Sequence, residues 1–149
     1  MVSKILVPTD GSETARKAAV YAVDLAKQLN ASLIILSVVS DRPFIAQIVS
    51  AADTPMHVME PVDDYLSEAA KEYIAEIEKL CVESGVQSET VVKTGQTVES
   101  IVRVALKSQV DLIVLGSHGR SALAASILGS VAYGVIHSET KVPVLIVRR

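Results

Sequence analysis

Gly116, Gly119, Gly129 and Ser130 fall in the order Gly-x2-Gly-x9-Gly-Ser, with Ser117, His118 and Arg120 among the intervening residues. Glycines let a ligand approach the main chain, and main-chain N–H groups are natural partners for phosphate oxygens. Gly129-Ser130 stands directly before a helical segment whose first N–H groups have no partner in their own helix; the Ser130 hydroxyl, read as the cap, adds a donor. Such a terminus contributes about 0.3–1 kcal/mol at an exposed site and about 2 kcal/mol when partly buried, so several N–H groups must converge. The stretch from Gly116 to Gly119 could supply them as an anion-binding nest. Arg120 is the only cation in this region, and its guanidinium either reaches a terminal phosphate or stays solvated.

A second small-residue loop, Pro8-Thr9-Asp10-Gly11-Ser12, precedes an alanine-rich period, and Asp10 there either caps the helix or meets a ligand. His118 reads as a solvent-facing loop histidine. It has no serine or cysteine nucleophile signature around it and no acid placed beside it, which favours binding over catalysis. His57 with Glu60, Asp63 and Asp64 lacks a regular metal-ligand spacing and reads as a solvated acidic stretch. His137 answers the dipole at a helix end, and Cys81 falls on an apolar stripe as a small hydrophobe. Taken singly, the glycines would only end a strand and make a turn; their combined spacing points to phosphate.

The elements that must position these residues follow from periodicity. Short apolar runs at 4–7, 33–39, 112–115 and 142–147 suit parallel strands covered on both faces. Residues 86–93 alternate less strictly, as an edge strand near water does. Between the runs lie helical stripes: Ala15, Ala18, Ala19, Ala22, Leu25, Ala26 and Leu29, with Asn30 as a left-handed stop, and then Tyr65, Leu66, Ala69, Ala70, Tyr73, Ile77, Leu80 and Cys81, closed by Gly85. Thr97 is the expected cap of a third helix carrying Val98, Ile101, Val102, Ala105 and Leu106, and a fourth starts near Ser130 with Val131, Val135 and Ile136. Residues 40–61, with three prolines, show no clean period and read as a long connection serving as lid or docking surface. This β-α-β, connection, α-β-α-β-α-β order predicts an α/β fold, a five-stranded parallel sheet with helices on both faces. Ligands in such sheets bind beyond the carboxyl ends of the strands, where the strand order reverses; the loops at 8–12 and 116–121 face one another if the first and fourth strands are neighbours.

The 149 residues suit one compact domain over 1–149. With a net charge of −3 there is no positive field to attract nucleic acid or an anionic membrane. Half the residues are apolar but only 3% are aromatic, so the core must be aliphatic. A single cysteine excludes an internal disulfide, and neither a signal-peptide core nor a run long enough to span a bilayer is present; a cytoplasmic location is the expectation.

The Gly-x2-Gly-x9-Gly-Ser spacing, the opening Ile5 to Ser12 and the closing Pro143 to Val147 resemble the ATP-binding branch of the universal stress protein family over essentially the whole chain. The resemblance implies a Rossmann-like sheet of order 3-2-1-4-5, similar to the adenine nucleotide alpha hydrolases. It implies ATP as ligand, with AMP or another adenine nucleotide as the alternative. Mg²⁺ could accompany a triphosphate, although no dedicated cage for it is visible. Pro8, Thr9 and Asp10 would lie beside the adenosine and Val38 would meet adenine. Leu115, Gly116, His118 and Gly119 would surround ribose and phosphates, with Arg120 near the terminal phosphate and Gly129, Ser130 and Val131 gripping the phosphates. A homodimer through the last strand, Val142 to Val147, is implied too. That strand would otherwise leave an apolar edge of unpaired backbone groups.

The function so implied is a nucleotide-dependent regulatory, stress-response protein acting on a protein partner that the sequence does not identify. Without a P-loop lysine, ATP hydrolysis is expected to be slow or absent. Three alternatives stay open: a nucleotide-processing hydrolase, a phosphoacceptor receiver domain, and a dimeric stress protein without nucleotide. Against the first stands the absence of a Ser-Gly-Gly-x-Asp-Ser type loop, against the second the lack of an acidic pair beside Asp10, and against the third the intact glycines.

Overall fold

The computed structural model describes residues 1–39, 59–119 and 127–149. The apolar runs form β1 (Lys4–Pro8), β2 (Ser32–Val39), β4 (Leu112–Gly116) and β5 (Val144–Val147), and the weakly alternating run forms β3 (Ser88–Thr94). All pair in parallel, in the order β3-β2-β1-β4-β5. Within β1, Ile5 and Val7 point to one face and Leu6 to the other, and all three are fully buried, as a strand covered on both sides requires. β3 is an edge, and most of its residues are exposed.

Helices α1 (Glu13–Leu29) and α2 (Met59–Ser84) cover the Ile5/Val7 face; α3 (Thr97–Lys107) and α4 (Ser130–Ile136) cover the Leu6 face. α1 lies close because its buried stripe is Ala15, Ala18, Ala19, Ala22 and Ala26, to which Val23 is added. Asn30 ends it in the left-handed conformation, φ 54°, its N–H bonded back to Lys27 O, and Gly85 ends α2 at φ +72°.

Several boundaries and stripe members differ from expectation. Leu29, Tyr65 and Leu106 are exposed, at 43%, 73% and 58%, while Ile74 and Val104 take core positions beside the anticipated ones. α2 begins at Met59, inside the stretch read as connection; Pro61 falls in its first turn, where a missing N–H loses no helical bond. Gln96, not Thr97, is the cap residue of α3, and no side chain bonds there. β5 begins at Val144 rather than Val142, because Val142 turns its N–H to Thr140 Oγ1 and Pro143 has none; the Pro143 carbonyl still accepts from Ile113 N–H. His57, Arg120 and the greater part of the 40–61 connection lie outside the described residues.

At the end of the sheet away from the crevice, Asp111 fastens β1 to β4. Its Oδ2 accepts from Ser3 N–H at 2.9 Å, Ser3 Oγ–H at 2.9 Å and Lys4 N–H at 3.0 Å. These bonds, the Ser3 backbone N–H first, hold its carboxyl below the ordinary aspartate value. A depressed carboxyl pKa contributes stability that is complete above the unfolded value of about 4 and disappears as pH falls through the folded one. Asp111→Asn is therefore expected to lower the melting temperature at pH 7, and the difference from the unaltered protein should shrink steadily as scans are taken at pH values further below about 4.

Candidate functional site

The strand order reverses between β1 and β4, which are direct neighbours with Ile5 opposite Leu112 and Leu6 opposite Ile113. Their carboxyl-end loops therefore share one crevice. Loop one, 9–12, is tied down by short bonds. Thr9, 7% exposed, donates its N–H to Leu36 O at 2.8 Å, and its Oγ1 accepts from Gly11 N–H at 3.2 Å. Asp10 Oδ1 accepts from Ser12 N–H at 2.9 Å, and Ser12 Oγ accepts from Ala15 N–H at 3.2 Å. Ser12 is thus the cap of α1, and the capping role considered for Asp10 falls away. The other carboxylate oxygen of Asp10 points at the opposite loop: a β-carbon added to Gly119 would sit 2.7 Å from Oδ2.

Two hydrogen bonds hold the described ends of the β4 loop. Ser117 N–H donates to Val147 O at 2.9 Å, and Gly129 N–H donates to Ser117 O at 2.6 Å. A β-carbon on Gly129 would stand 3.0 Å from both His118 Cα and Ser117 O, and one on Gly116 would strike Thr14 Cγ2 at 2.9 Å. The left-handed glycines are Gly11, Gly85 and Gly95, so Gly116, Gly119 and Gly129 serve close approach rather than a left-handed nest. Gly129 is the cap residue of α4 and Ser130 its exposed first helical residue, which corrects the reading of Ser130 as the cap.

His118 is 7% exposed, contrary to the solvent-facing expectation. Its Nδ1 lies 2.9 Å from Ser117 Oγ and its Nε2 lies 3.3 Å from Arg149 Nη2, a partner 31 residues away in sequence. Sequence spacing gives no hint of Arg149, which reaches the loop only because β5 pairs with β4.

Pro8, Thr9, Asp10, Leu115, Gly116, His118, Gly119, Gly129, Ser130 and Val131 all belong to β1, β4, their loops or the start of α4. Val38 sits near the carboxyl end of β2, two residues beyond Leu36, the partner of Pro8. Arg120 cannot be placed with them, since it lies outside the described residues. Away from the crevice, His137 caps α4, with Nδ1 2.9 Å from Tyr133 O and its ring stacked on Tyr133 at 3.9 Å. Cys81 is fully buried, and burial raises its thiol pKa.

A doubly wound α/β domain with a glycine-walled crevice at its switch point is the class of protein that fold and geometry define. A model of the universal stress protein family matches residues 1–148, and the chain belongs to that family. A universal stress protein of Methanocaldococcus jannaschii, MJ0531, is 33% identical over 149 residues, covering 100% of this chain and 84% of its own length. The solved structure of hypothetical protein MJ0577 superposes with a TM-score of 0.85 at 33% identity, covering 100% of this chain and 97% of the other. A universal stress protein in complex with cAMP superposes with a TM-score of 0.71 at 26% identity, with 98% and 97% coverage.

The contact with Arg149 fixes the proton of His118. A guanidinium can only donate, so Nε2 accepts and Nδ1 carries the hydrogen, which it donates to Ser117 Oγ. Two-bond ¹H–¹⁵N spectra at pH 8 should show His118 as the Nδ1–H tautomer, and Arg149→Ala should release that preference.

Proposed function

We propose that this universal stress protein is a nucleotide-dependent regulatory protein that binds an adenine nucleotide, ATP first, in the crevice between loop one and the β4 loop. One observation carries the reading: two loops at a switch point meet with Gly119 against the Asp10 carboxylate and Gly129 against the 117–118 backbone, close approaches that a side chain at either glycine would block. Directly after Gly129 come the first N–H groups of α4, at Ser130 and Val131, the kind of donor a polyanionic tail needs. The cAMP bound by a family relative supports an adenine nucleotide as the ligand class.

The residues present fit the group. Asp10, anchored through Oδ1 to Ser12 N–H, would accept from base or sugar, with Pro8, Thr9 and Val38 beside it. The backbone from Leu115 to Gly119 and the first N–H groups of α4, at Ser130 and Val131, would hold ribose and phosphates. Loop one and the β4 loop are already fixed by hydrogen bonds, so little ordering entropy opposes binding. No P-loop lysine supplies charge to a phosphoryl-transfer transition state, so the proposed role is to hold nucleotide, with hydrolysis slow at most. Among the described residues no cluster of three or more His, Cys, Asp or Glu side chains could hold a metal ion, and Mg²⁺ stays outside the proposal.

The second part of the proposal is a homodimer through β5. Val144 to Val147 form the sheet edge opposite β3, all partly exposed, without a charge inside the strand. Beside it, Val147 and α1 residues including Lys17 and Tyr21 line a recess of about 770 Å³. Antiparallel pairing with a second copy would satisfy the outer backbone groups of β5. A cytoplasmic location, and a protein partner that reads the bound state, complete the proposal; no helix among the described residues is long and apolar enough to cross a membrane.

Acid extraction and chromatography test the nucleotide reading. Adenine nucleotide should be released from the purified protein and be absent from Gly129→Lys, whose β-carbon already meets backbone at 3.0 Å. Empty preparations of both, with no heat of binding on adding ATP to the unaltered protein, would sink it. Sedimentation equilibrium should give twice the chain mass; the 15.8 kDa species alone would refute the dimer.

A further inference from the structure

None of the candidate site residues lies on α2, yet α2 presses directly on loop one. Gly11, at φ +76°, turns its bare Cα toward Tyr73; a β-carbon there would lie 2.3 Å from Cε1 and 2.5 Å from both Cδ1 and Cζ of the ring. The half-buried ring of Tyr73 therefore occupies the space a side chain at position 11 would need. One helical turn further along α2, Glu76 holds Arg16 of α1 through Oε1 to Nε at 3.0 Å and Oε2 to Nη2 at 3.1 Å. Both partners are about half exposed, so the pair adds little stability and serves to hold α2 in register on α1.

Gly11 also stands between the two residues that shape the crevice wall. Asp10 before it faces Gly119, and Ser12 after it caps α1 and donates to Asp10 Oδ1. With Gly11 N–H bonded to Thr9 Oγ1 as well, loop one has no slack: a displacement of Asp10 toward a ligand moves Gly11, and the ring packed on Gly11 must follow.

We propose that Tyr73 is a positioning residue that holds loop one through Gly11 and transmits occupancy of the crevice to α2. The inference rests on the nucleotide reading above and adds the route by which a bound nucleotide changes a distant surface. By linkage, whatever α2 gains from the occupied state it returns as nucleotide affinity. α2 exposes Glu72, Ala75, Glu76 and Lys79 on this stretch, and a partner touching that surface would alter affinity for nucleotide without touching the crevice.

Hydrogen exchange of the full chain with and without ATP, together with calorimetric titration, tests this. In the unaltered protein ATP should slow exchange both in loop one and in the 69–77 stretch of α2. Tyr73→Ala should weaken ATP binding about tenfold and remove the ATP-dependent protection of 69–77. Tyr73→Phe, which keeps the ring carbons that meet Gly11, should bind ATP more tightly than Tyr73→Ala and recover protection of 69–77. Protection of loop one without any on α2 in the unaltered protein would overturn the coupling, whatever the variants do. So would affinity within about twofold of normal in a folded Tyr73→Ala. No ATP binding by the unaltered protein would overturn the site reading and this inference together.

Discussion

A β-carbon at Gly129 would stand 3.0 Å from the backbone on the far side of the β4 loop, and one at Gly119 would stand 2.7 Å from the Asp10 carboxylate. The crevice depends on those two absences. Parallel pairing of β1 with β4 brings the loops to the same end of the sheet, but it does not by itself let them touch. Touching requires that Gly119 and Gly129 carry no side chain at the contact, so that Gly129 N–H can reach Ser117 O at 2.6 Å and the Asp10 carboxylate can face Gly119. Gly116 extends the same constraint to the first turn of α1 through Thr14, which places the helix cap and the β4 loop in a fixed relation. What the glycines provide is proximity between three backbones. Their φ angles lie outside the left-handed region, so the usual account of glycine as a source of unusual torsion applies in this site only to Gly11.

The layers were legible because each rests on a local pattern. The alanine stripe of α1, the Asn30 and Gly85 stops, the apolar runs of the inner strands and the mixed edge strand β3 are all properties of adjacent residues; the strand order is not, since the same alternation suits other doubly wound orders, and it is the family resemblance that implies it. The crevice was legible as two glycine-rich loops at carboxyl ends. Its internal wiring was not. Asp10 and Ser12 are both good caps, two residues apart, and only the bond from Ala15 N–H to Ser12 Oγ decides between them. His118 looks like an exposed loop histidine until β5 delivers Arg149 to its Nε2, a contact made by pairing across 31 residues. Tyr73 read as one more member of an apolar stripe; its use against Gly11 depends on how α2 lies across α1, which periodicity does not encode.

Burial of Ser117 and His118 directly after β4 has a physical consequence for how this turn holds its shape. Buried polar groups are tolerated when satisfied, and no buried side-chain nitrogen or oxygen among the described residues lacks a partner. Ser117 is bonded through its N–H, its carbonyl and its hydroxyl, to Val147, Gly129 and His118 respectively. A residue bonded at all three groups is held in one conformation. Loop one is short, carries the left-handed Gly11, and has an aromatic ring of α2 packed behind it. The two walls of the crevice thus differ in kind, one fixed by strand β5 and the other supported by helix α2.

The two edges of the sheet differ in the same way. β3 places Glu89 and Lys93 among mostly exposed residues, and charged groups on an edge discourage another strand from adding to it. β5 carries Val-Leu-Ile-Val with arginines only after the strand ends, and its inner side holds Ser117 through Val147 O. An added strand at β3 would gain backbone bonds while burying charge; one at β5 would gain them while burying only aliphatic surface. The β5 edge lies next to the strand whose loop carries Ser117 and His118, whereas α2 packs on the opposite wall at Gly11.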